Sequence, residues 1–125
     1  MSDLNGLIER YFAIWNEPDP ARRDELIGRT WSDDASYLDP MLSAEGPDGI
    51  QTMVASVQEQ FPGHRFRRVS EIDSHHDRLR FAWELVNPAS APVVRGSDYG
   101  LLAPDGRLRA ITGFFEQPAP PSEAP

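Results

Sequence analysis

An aspartate before a proline is the side chain of this sequence best placed to act as a base. Asp39 stands between Tyr37-Leu38 and Pro40-Met41-Leu42, so mostly apolar residues flank it on both sides. A carboxylate in such surroundings loses hydration, which raises its pKa and makes the ionised form a stronger base. An Asp-Pro turn, in which the carboxylate only caps backbone amides, explains the same residues. The local sequence leaves both interpretations open.

A second carboxylate, Asp98, lies in a predicted strand between Gly96 and Gly100, which share its face. If this face points into the protein, Asp98 is buried and has to be protonated or hydrogen-bonded, while the glycines leave room for a ligand. If the opposite face, with Val93 and Tyr99, points inward, Asp98 is solvated. The pattern does not decide between these orientations.

A tyrosine could assist either carboxylate. Tyr11 belongs to a predicted first helix in which apolar residues recur at helical spacing, and it lies on the stripe that should be buried. Its hydroxyl either sits at the rim of the core or donates a hydrogen bond within a pocket. Asp39, Tyr11 and Asp98 are therefore the candidate catalytic residues.

The composition excludes several other chemistries. The sequence has no cysteine, and all 12 of its Lys and Arg residues are arginine. Thiolate nucleophiles, thiolate metal sites, disulfides and lysine Schiff bases are thereby excluded. No glycine-rich phosphate loop is present, and the adjacent His75 and His76 would point to opposite faces of a strand. We expect neither a cofactor nor a metal.

The charge of the chain bears on its partners and location. A net charge of −8 argues against nucleic acid and membrane partners, because an acidic domain repels phosphates and anionic lipid. The apolar runs are too short to span a bilayer, and the first residues lack the pattern of a secretory signal. Arginine without lysine is typical of a GC-rich bacterial genome. We therefore expect a soluble, cytoplasmic bacterial protein.

The order of elements predicts one α+β domain over residues 1–116, followed by a disordered Pro-rich tail over 117–125. Three helices are predicted, beginning near residues 4, 20 and 48. Strands are predicted over residues 35–38, 65–73, 78–86, 93–102 and 108–116, with a turn over 32–34. Helices laid over one face of a curved antiparallel sheet enclose an apolar pocket, which is a common site for small ligands. Its predicted wall is Trp15, Met53, Val54, Val57, Phe66, Phe81, Trp83 and Phe114.

Several stretches together resemble the nuclear transport factor 2-like superfamily, in its SnoaL-like and ketosteroid isomerase-like branches. They are Arg10–Asn16, Trp31–Pro40, Gly46–Ile50, Ser97–Gly100 and Gly106–Glu116, and the resemblance covers residues 4–116. It implies a cone-shaped fold in which three N-terminal helices pack on a curved antiparallel sheet around an apolar pocket. It also implies a homodimer that pairs through the open face of the sheet.

The resemblance to the isomerase-like branch extends to three functional positions. It implies that Asp39 is the general base that moves a proton alpha to a carbonyl, while Tyr11 and a protonated Asp98 donate hydrogen bonds to the enolate oxygen. Ketosteroid isomerase is known to keep a carboxylic acid neutral in an apolar site. Only the resemblance implies the same protonation state for Asp98. The sequence departs from that pattern at Val54, where the isomerases carry a further tyrosine, and in a longer connection around residues 21–24.

Three hypotheses about function follow. The first is a cofactor-independent enzyme that isomerises, enolises or cyclises a small hydrophobic carbonyl compound. The second is an epoxide hydrolase, in which Asp39 would activate water and Asp98 would be the acid. The third is a non-catalytic module for ligand binding or dimerisation, in which Tyr11 and Asp98 only satisfy each other's hydrogen-bonding capacity.

Overall fold

The helices begin where the sequence supplies a cap or a proline. The computed structural model describes residues 3–116. Its helices are α1 (Leu4–Asn16), α2 (Pro20–Thr30) and α3 (Gly46–Gln60). The carboxylate of Asp3 accepts a hydrogen bond of 2.9 Å from the Gly6 amide, and Asp19 caps α2 in the same way. All three predicted helices are confirmed, whereas the predicted tail over 117–125 lies outside the described residues.

Within residues 3–116, seven strands form one sheet. They are β1 (Trp31–Leu38), β2 (Ser43–Glu45), β3 (Arg65–Arg68), β4 (Asp73–His75), β5 (Arg78–Val86), β6 (Pro92–Leu102) and β7 (Leu108–Phe115). Their order is β2-β1-β7-β6-β5-β3, and β4 also pairs with β5. The α+β class is confirmed, but the sheet is mixed because β1 runs parallel to β7. The expectation of a wholly antiparallel sheet was wrong because residue patterns do not encode the direction in which β1 joins the edge of the meander.

Three local predictions were wrong. The predicted turn at Ser32–Asp34 belongs to β1, where a shift of register between Trp31 and Ser36 accommodates the exposed acids. The short β2 was predicted as a loop. It is a strand because three of its residues pair with β1, and such a contact leaves no pattern in the local sequence. The predicted strand over 65–73 is split in two, because the Ser70 hydroxyl takes the Ala82 amide at 2.8 Å and interrupts the ladder with β5.

The alternation of β5 shows which face of the sheet the helices cover. Leu79, Phe81, Trp83 and Leu85 are all buried, whereas their neighbours toward the start of the strand are exposed. Together with the apolar stripes of α1 and α3 they form the core. The inner face of the sheet is therefore the face that carries the buried side chains of β5.

The connection between α1 and α2 is held by a buried arginine. The Arg23 guanidinium donates to the Glu17 carbonyl at 3.0 Å, to Gln51 on α3 at 2.7 Å and to Gln58 on α3 at 3.1 Å. Arg23 therefore fastens the start of α2 to α3. Among the described residues, no helix has the length and apolar character to cross a membrane.

Candidate active site

A cavity of about 790 Å³ lies between the helices and the inner face of the sheet. Its wall is mainly aromatic and aliphatic, but it also includes the phenols of Tyr11 and Tyr37 and the carboxylates of Asp39, Asp98 and Glu116. Glu116 is exposed, whereas the other four groups lie near one another at one end of the cavity. All three candidate catalytic residues from the sequence thus face one cavity, although 87 residues separate the first from the last.

Asp98 is almost completely buried. β6 turns Gly96, Asp98 and Gly100 inward, so the orientation that the sequence left open is the buried one. Oδ2 of Asp98 accepts a hydrogen bond of 2.6 Å from the Tyr11 hydroxyl, and Oδ1 accepts one of 3.0 Å from the indole N–H of Trp83. Burial raises the pKa of Asp98 to about 6, although the two hydrogen bonds oppose the rise.

Tyr11 is buried beside Asp98 and is hydrogen-bonded to it. The residue is 2 % exposed, and aromatic rings of α1 and β5 surround the phenol. Burial, followed by the negative charge of Asp98, raises the pKa of Tyr11 well above its ordinary value. Tyr11 is therefore a neutral hydrogen-bond donor at any physiological pH.

Asp39 forms the Asp-Pro turn and also lines the cavity. Its Oδ1 accepts hydrogen bonds from the amides of Met41 at 2.9 Å and Leu42 at 2.8 Å, which is the Asp-Pro turn. Its Oδ2 accepts a third, of 2.7 Å, from the hydroxyl of Tyr37. The carboxylate is an acceptor in all three bonds, as an ionised carboxylate must be, and it still lines the cavity.

Tyr37 is the functional candidate that sequence reasoning missed. It is 5 % exposed, and it lies two residues before Asp39, so both side chains leave the backbone on the same face. That spacing was a signal available in the sequence. Burial, Asp98 and Asp39 together raise the pKa of Tyr37 above its ordinary value, which keeps the phenol protonated.

Gly113 on β7 is where these groups approach one another. A Cβ at this position would lie 2.9 Å from Oδ1 of Asp98, 3.2 Å from Cβ of Asp39 and 3.4 Å from the Tyr37 hydroxyl. The first of these distances is closer than a real Cβ tolerates. The absence of a side chain at Gly113 therefore lets the two carboxylates share one end of the cavity.

Of the eight side chains predicted for the pocket wall, four line the cavity and four lie elsewhere. Trp15, Val57, Phe66 and Trp83 line the cavity. Met53, Val54 and Phe81 do not, because their side chains fill the core behind it. Phe114 is 54 % exposed on the outer face, since β7 alternates and turns the adjacent Phe115 toward the cavity instead.

The histidines lie elsewhere. His75 and His76 stand at the exposed turn before β5, with their Nδ1 atoms 3.0 Å apart, and His64 packs its ring on Phe61. The groups of the cavity wall that can exchange protons are therefore carboxylates and phenols. Asp39 is exposed enough to meet a ligand, and Asp98 is buried beside a phenol that could donate to a ligand oxygen.

Solved structures show the fold class to which this arrangement belongs. An NTF2-like protein of unknown function from Exiguobacterium sp. 255-15 matches with a TM-score of 0.71 at 18% identity, over 90% of this chain and 99% of that one. A protein from Sinorhizobium meliloti, provisionally named a polyketide cyclase, matches with a TM-score of 0.68 at 16% identity, over 86% and 93%. The fold is nuclear transport factor 2-like, as the resemblance implied.

The family is shown by a more similar structure. A protein from Agrobacterium tumefaciens strain C58, provisionally named an isomerase of the SnoaL-like family, is 35% identical with a TM-score of 0.86. The alignment covers 90% of this chain and 96% of that one. The present chain belongs to the SnoaL-like family. A scan against family models and a search of curated proteins each found no match.

Proposed function

We propose that this protein is a cofactor-independent enzyme that moves a proton at the carbon next to a carbonyl in a small hydrophobic compound. The observation that carries the proposal is the buried pair of Tyr11 and Asp98 in the same cavity as the more accessible carboxylate of Asp39. Two carboxylates in such different surroundings are suited to different tasks, one as base and one as neutral acid. Isomerisation, enolisation and cyclisation all use this step.

The proposed step is simple in its bonds. Asp39 takes the proton from the alpha carbon, and the electron pair of that C–H bond moves toward the carbonyl to give an enolate. The negative oxygen lies at the Tyr11 end, where the phenol donates to it. For isomerisation, Asp39 returns the proton to another carbon of a conjugated enolate. For cyclisation, the enolate carbon attacks a second carbonyl of the same compound, and the proton on Asp39 goes to the new alkoxide oxygen.

Two further observations support this proposal: the name of a similar protein and the residues that line the cavity. The Agrobacterium tumefaciens protein carries an isomerase name, and the cavity wall of Trp15, Phe66 and Trp83 suits an apolar, planar compound. Opening of an epoxide would use the same two carboxylates and is the alternative reaction to assay on the same cavity.

Binding of substituted phenols tests the oxyanion site. A phenolate resembles an enolate, and we expect affinity to rise along a series as the phenol pKa approaches that of the Tyr11 donor. Tyr11→Phe should lower that affinity roughly tenfold or more, because a hydrogen bond to a charged oxygen is lost. Equal affinities for wild type and Tyr11→Phe would remove the oxyanion site from the proposal.

One observation favours a second candidate, a module that binds a hydrophobic ligand without turning it over. The Tyr11 hydroxyl already donates to Asp98, so the pair is satisfied without any ligand. Proton exchange from ketones that bind the cavity separates the two candidates. A binding module would bind such ketones and leave their alpha protons in place.

We also propose that the protein is a homodimer that pairs through the outer face of the sheet. This face exposes Tyr99 and Phe114, whose rings meet edge to face at 5.6 Å on adjacent strands. Two exposed aromatic rings in contact are typical of an interface. From the acidic, lysine-free composition we further propose that the protein is bacterial and cytoplasmic.

A further inference from the structure

Both oxygens of the Asp98 carboxyl group have a donor in the folded protein. Oδ2 receives the Tyr11 hydroxyl at 2.6 Å, and Oδ1 receives the Trp83 indole at 3.0 Å. The resemblance implied that Asp98 and Tyr11 donate side by side to the enolate oxygen. That arrangement requires a proton on Asp98 that points to the ligand, whereas both oxygens point at protein donors.

The two donors differ in what they can do. An indole N–H can only donate, so Oδ1 always has to act as an acceptor, and a carbonyl oxygen accepts better than a protonated one. A phenol both donates and accepts, so Tyr11 can receive a hydrogen bond from Asp98. When Asp98 is neutral, its proton is therefore favoured on Oδ2, between Asp98 and Tyr11.

We propose that Asp98 acts on the reacting oxygen through Tyr11 and not by direct contact, so that the hydrogen bonds run in series from Asp98 to Tyr11 to the ligand. Trp83 is the positioning residue that enforces this series. The inference rests on the proposed function, because it assigns how that oxyanion site is built. With the proton on Oδ2, Asp98 donates to the Tyr11 oxygen, and the Tyr11 hydroxyl proton turns to the ligand. With Asp98 ionised, Tyr11 donates back to Asp98 and is lost to the ligand.

The groups that face Asp98 determine the pH at which Asp98 ionises and the hydrogen bond between Asp98 and Tyr11 reverses its direction. They are Tyr11 from α1, Tyr37 from β1 and Asp39 directly after β1, while β5 and β7 present Trp83 and Gly113, which carry no charge. Both phenols stay neutral, and Asp39 is the one other negative group of the cluster. The pKa of Asp98, about 6, then places the exchange close to neutral pH.

A double-mutant cycle on phenolate binding tests the series. The probe is a dinitrophenol, which stays ionised at pH values on either side of 6, and the proteins are wild type, Tyr11→Phe, Asp98→Ala and the double variant. We expect Asp98→Ala to weaken binding roughly tenfold in the wild-type background and less than about twofold in the Tyr11→Phe background. The same loss in both backgrounds would show direct contact by Asp98 and would overturn the inference.

Asp98→Asn is the second variant, used because it preserves the shape of the buried group. Its amide oxygen can accept from Trp83 and its NH₂ can donate to Tyr11, which copies neutral Asp98. We expect it to bind the dinitrophenolate at high pH as well as wild type does at low pH. Weak binding by Asp98→Asn at both pH values, in a folded variant, would count against donation to Tyr11.

The role of Trp83 has its own measurement. The N–H bond at Oδ1 stabilises ionised Asp98, so Trp83→Phe should move the midpoint of the pH-dependent loss of binding upward by about one pH unit. Phe66→Leu is the control, since it alters the neighbouring wall without removing a donor, and it should leave the midpoint in place. An unmoved midpoint in Trp83→Phe would reduce Trp83 to a packing residue.

Failure of this inference is distinguishable from failure of the proposed function. If Tyr11→Phe and Asp98→Ala each weaken binding by independent factors, the oxyanion site stands and only the series is wrong. If neither substitution changes dinitrophenolate affinity, the oxyanion site itself is wrong, and the proposed function loses its supporting observation.

Discussion

The hydroxyl of Tyr11 lies 2.6 Å from Oδ2 of Asp98, a contact that joins the first helix to the sixth strand. Each residue carries a polar group that would be costly to bury without a hydrogen-bond partner, and each supplies that partner to the other. The pair therefore exists only when α1 is packed on the sheet. Formation of the site and docking of the first helix are one event.

The raised pKa of Asp98 predicts how stability depends on pH. Between its ordinary value of 3.8 and the folded value of about 6, the folded protein holds more proton on Asp98 than the unfolded chain does. Its contribution is therefore most favourable at low pH, and the free energy of unfolding falls as pH rises through this window, by at most about 3 kcal/mol.

Urea unfolding of wild type and Asp98→Asn at several pH values checks this prediction. The variant does not titrate at position 98, so the difference in unfolding free energy isolates the contribution of Asp98. Wild type should lose stability relative to the variant up to about pH 6 and not beyond. A difference that stays constant with pH would mean that Asp98 is not held in its neutral form by the fold.

Tyr37→Phe should impair proton transfer by releasing one oxygen of Asp39. The Tyr37 hydroxyl donates 2.7 Å to Oδ2, and without it the carboxylate keeps only its two backbone donors. We expect the rate of alpha-proton exchange to fall about tenfold to a hundredfold with little change in substrate affinity. Tyr99→Phe, on the exposed outer face, is the matched control and should match wild type. Full activity in Tyr37→Phe would show that the turn alone positions Asp39.

Gly113→Ala should damage the site more than the fold. The new methyl group would lie 2.9 Å from Oδ1 of Asp98 and 3.2 Å from Cβ of Asp39, so the two carboxylates have to separate. We expect exchange to fall more than about tenfold, with a stability cost of roughly 1–3 kcal/mol. Gly28→Ala, on α2 with no atom within 4 Å of the added carbon, is the control and should be active and slightly more stable. Equal activity of both variants would show that the carboxylates need not be close.

Helices and strand periodicity could be predicted from the sequence because they depend on local chemistry. Asp3 and Asp19 act as helix caps, and the alternation of β5 places Leu79 and Trp83 inside, as the pattern indicated. The parallel pairing of β1 with β7 depends on how the chain closes over the sheet. That information is not present in any local pattern, so the sheet was predicted as wholly antiparallel.

The candidate site was only partly predictable, for the same reason. The inward orientation of Asp98 could not be read from a strand whose two faces carry similar residues, and it is fixed by pairing with β5 and β7. The partnership of Trp83 with Asp98 links two strands and has no sequence signature. Tyr37, in contrast, is near the end of β1 and Asp39 directly follows that strand, so the common face of two residues at this spacing could have been predicted.

Phe114→Arg should separate the proposed homodimer into monomers. The Phe114 ring is more than half exposed and packs on Tyr99, so a charge in the middle of this patch costs a dimer far more than a monomer. Sedimentation equilibrium measures the change in mass. Glu25→Arg on exposed α2 is the control for an added positive charge. A wild-type protein that sediments as a monomer at all concentrations would contradict the dimer.

Exchange of alpha protons catalysed by wild type and Asp39→Asn tests the central claim most directly. A cyclic ketone that binds the cavity is incubated in deuterated water, and loss of its alpha-proton signal is followed by NMR. Asp39→Asn keeps the shape of the side chain but removes the base, so exchange should fall by a factor of about a hundred or more while folding is preserved. Equal exchange rates for the two proteins would contradict the role of Asp39 as the base.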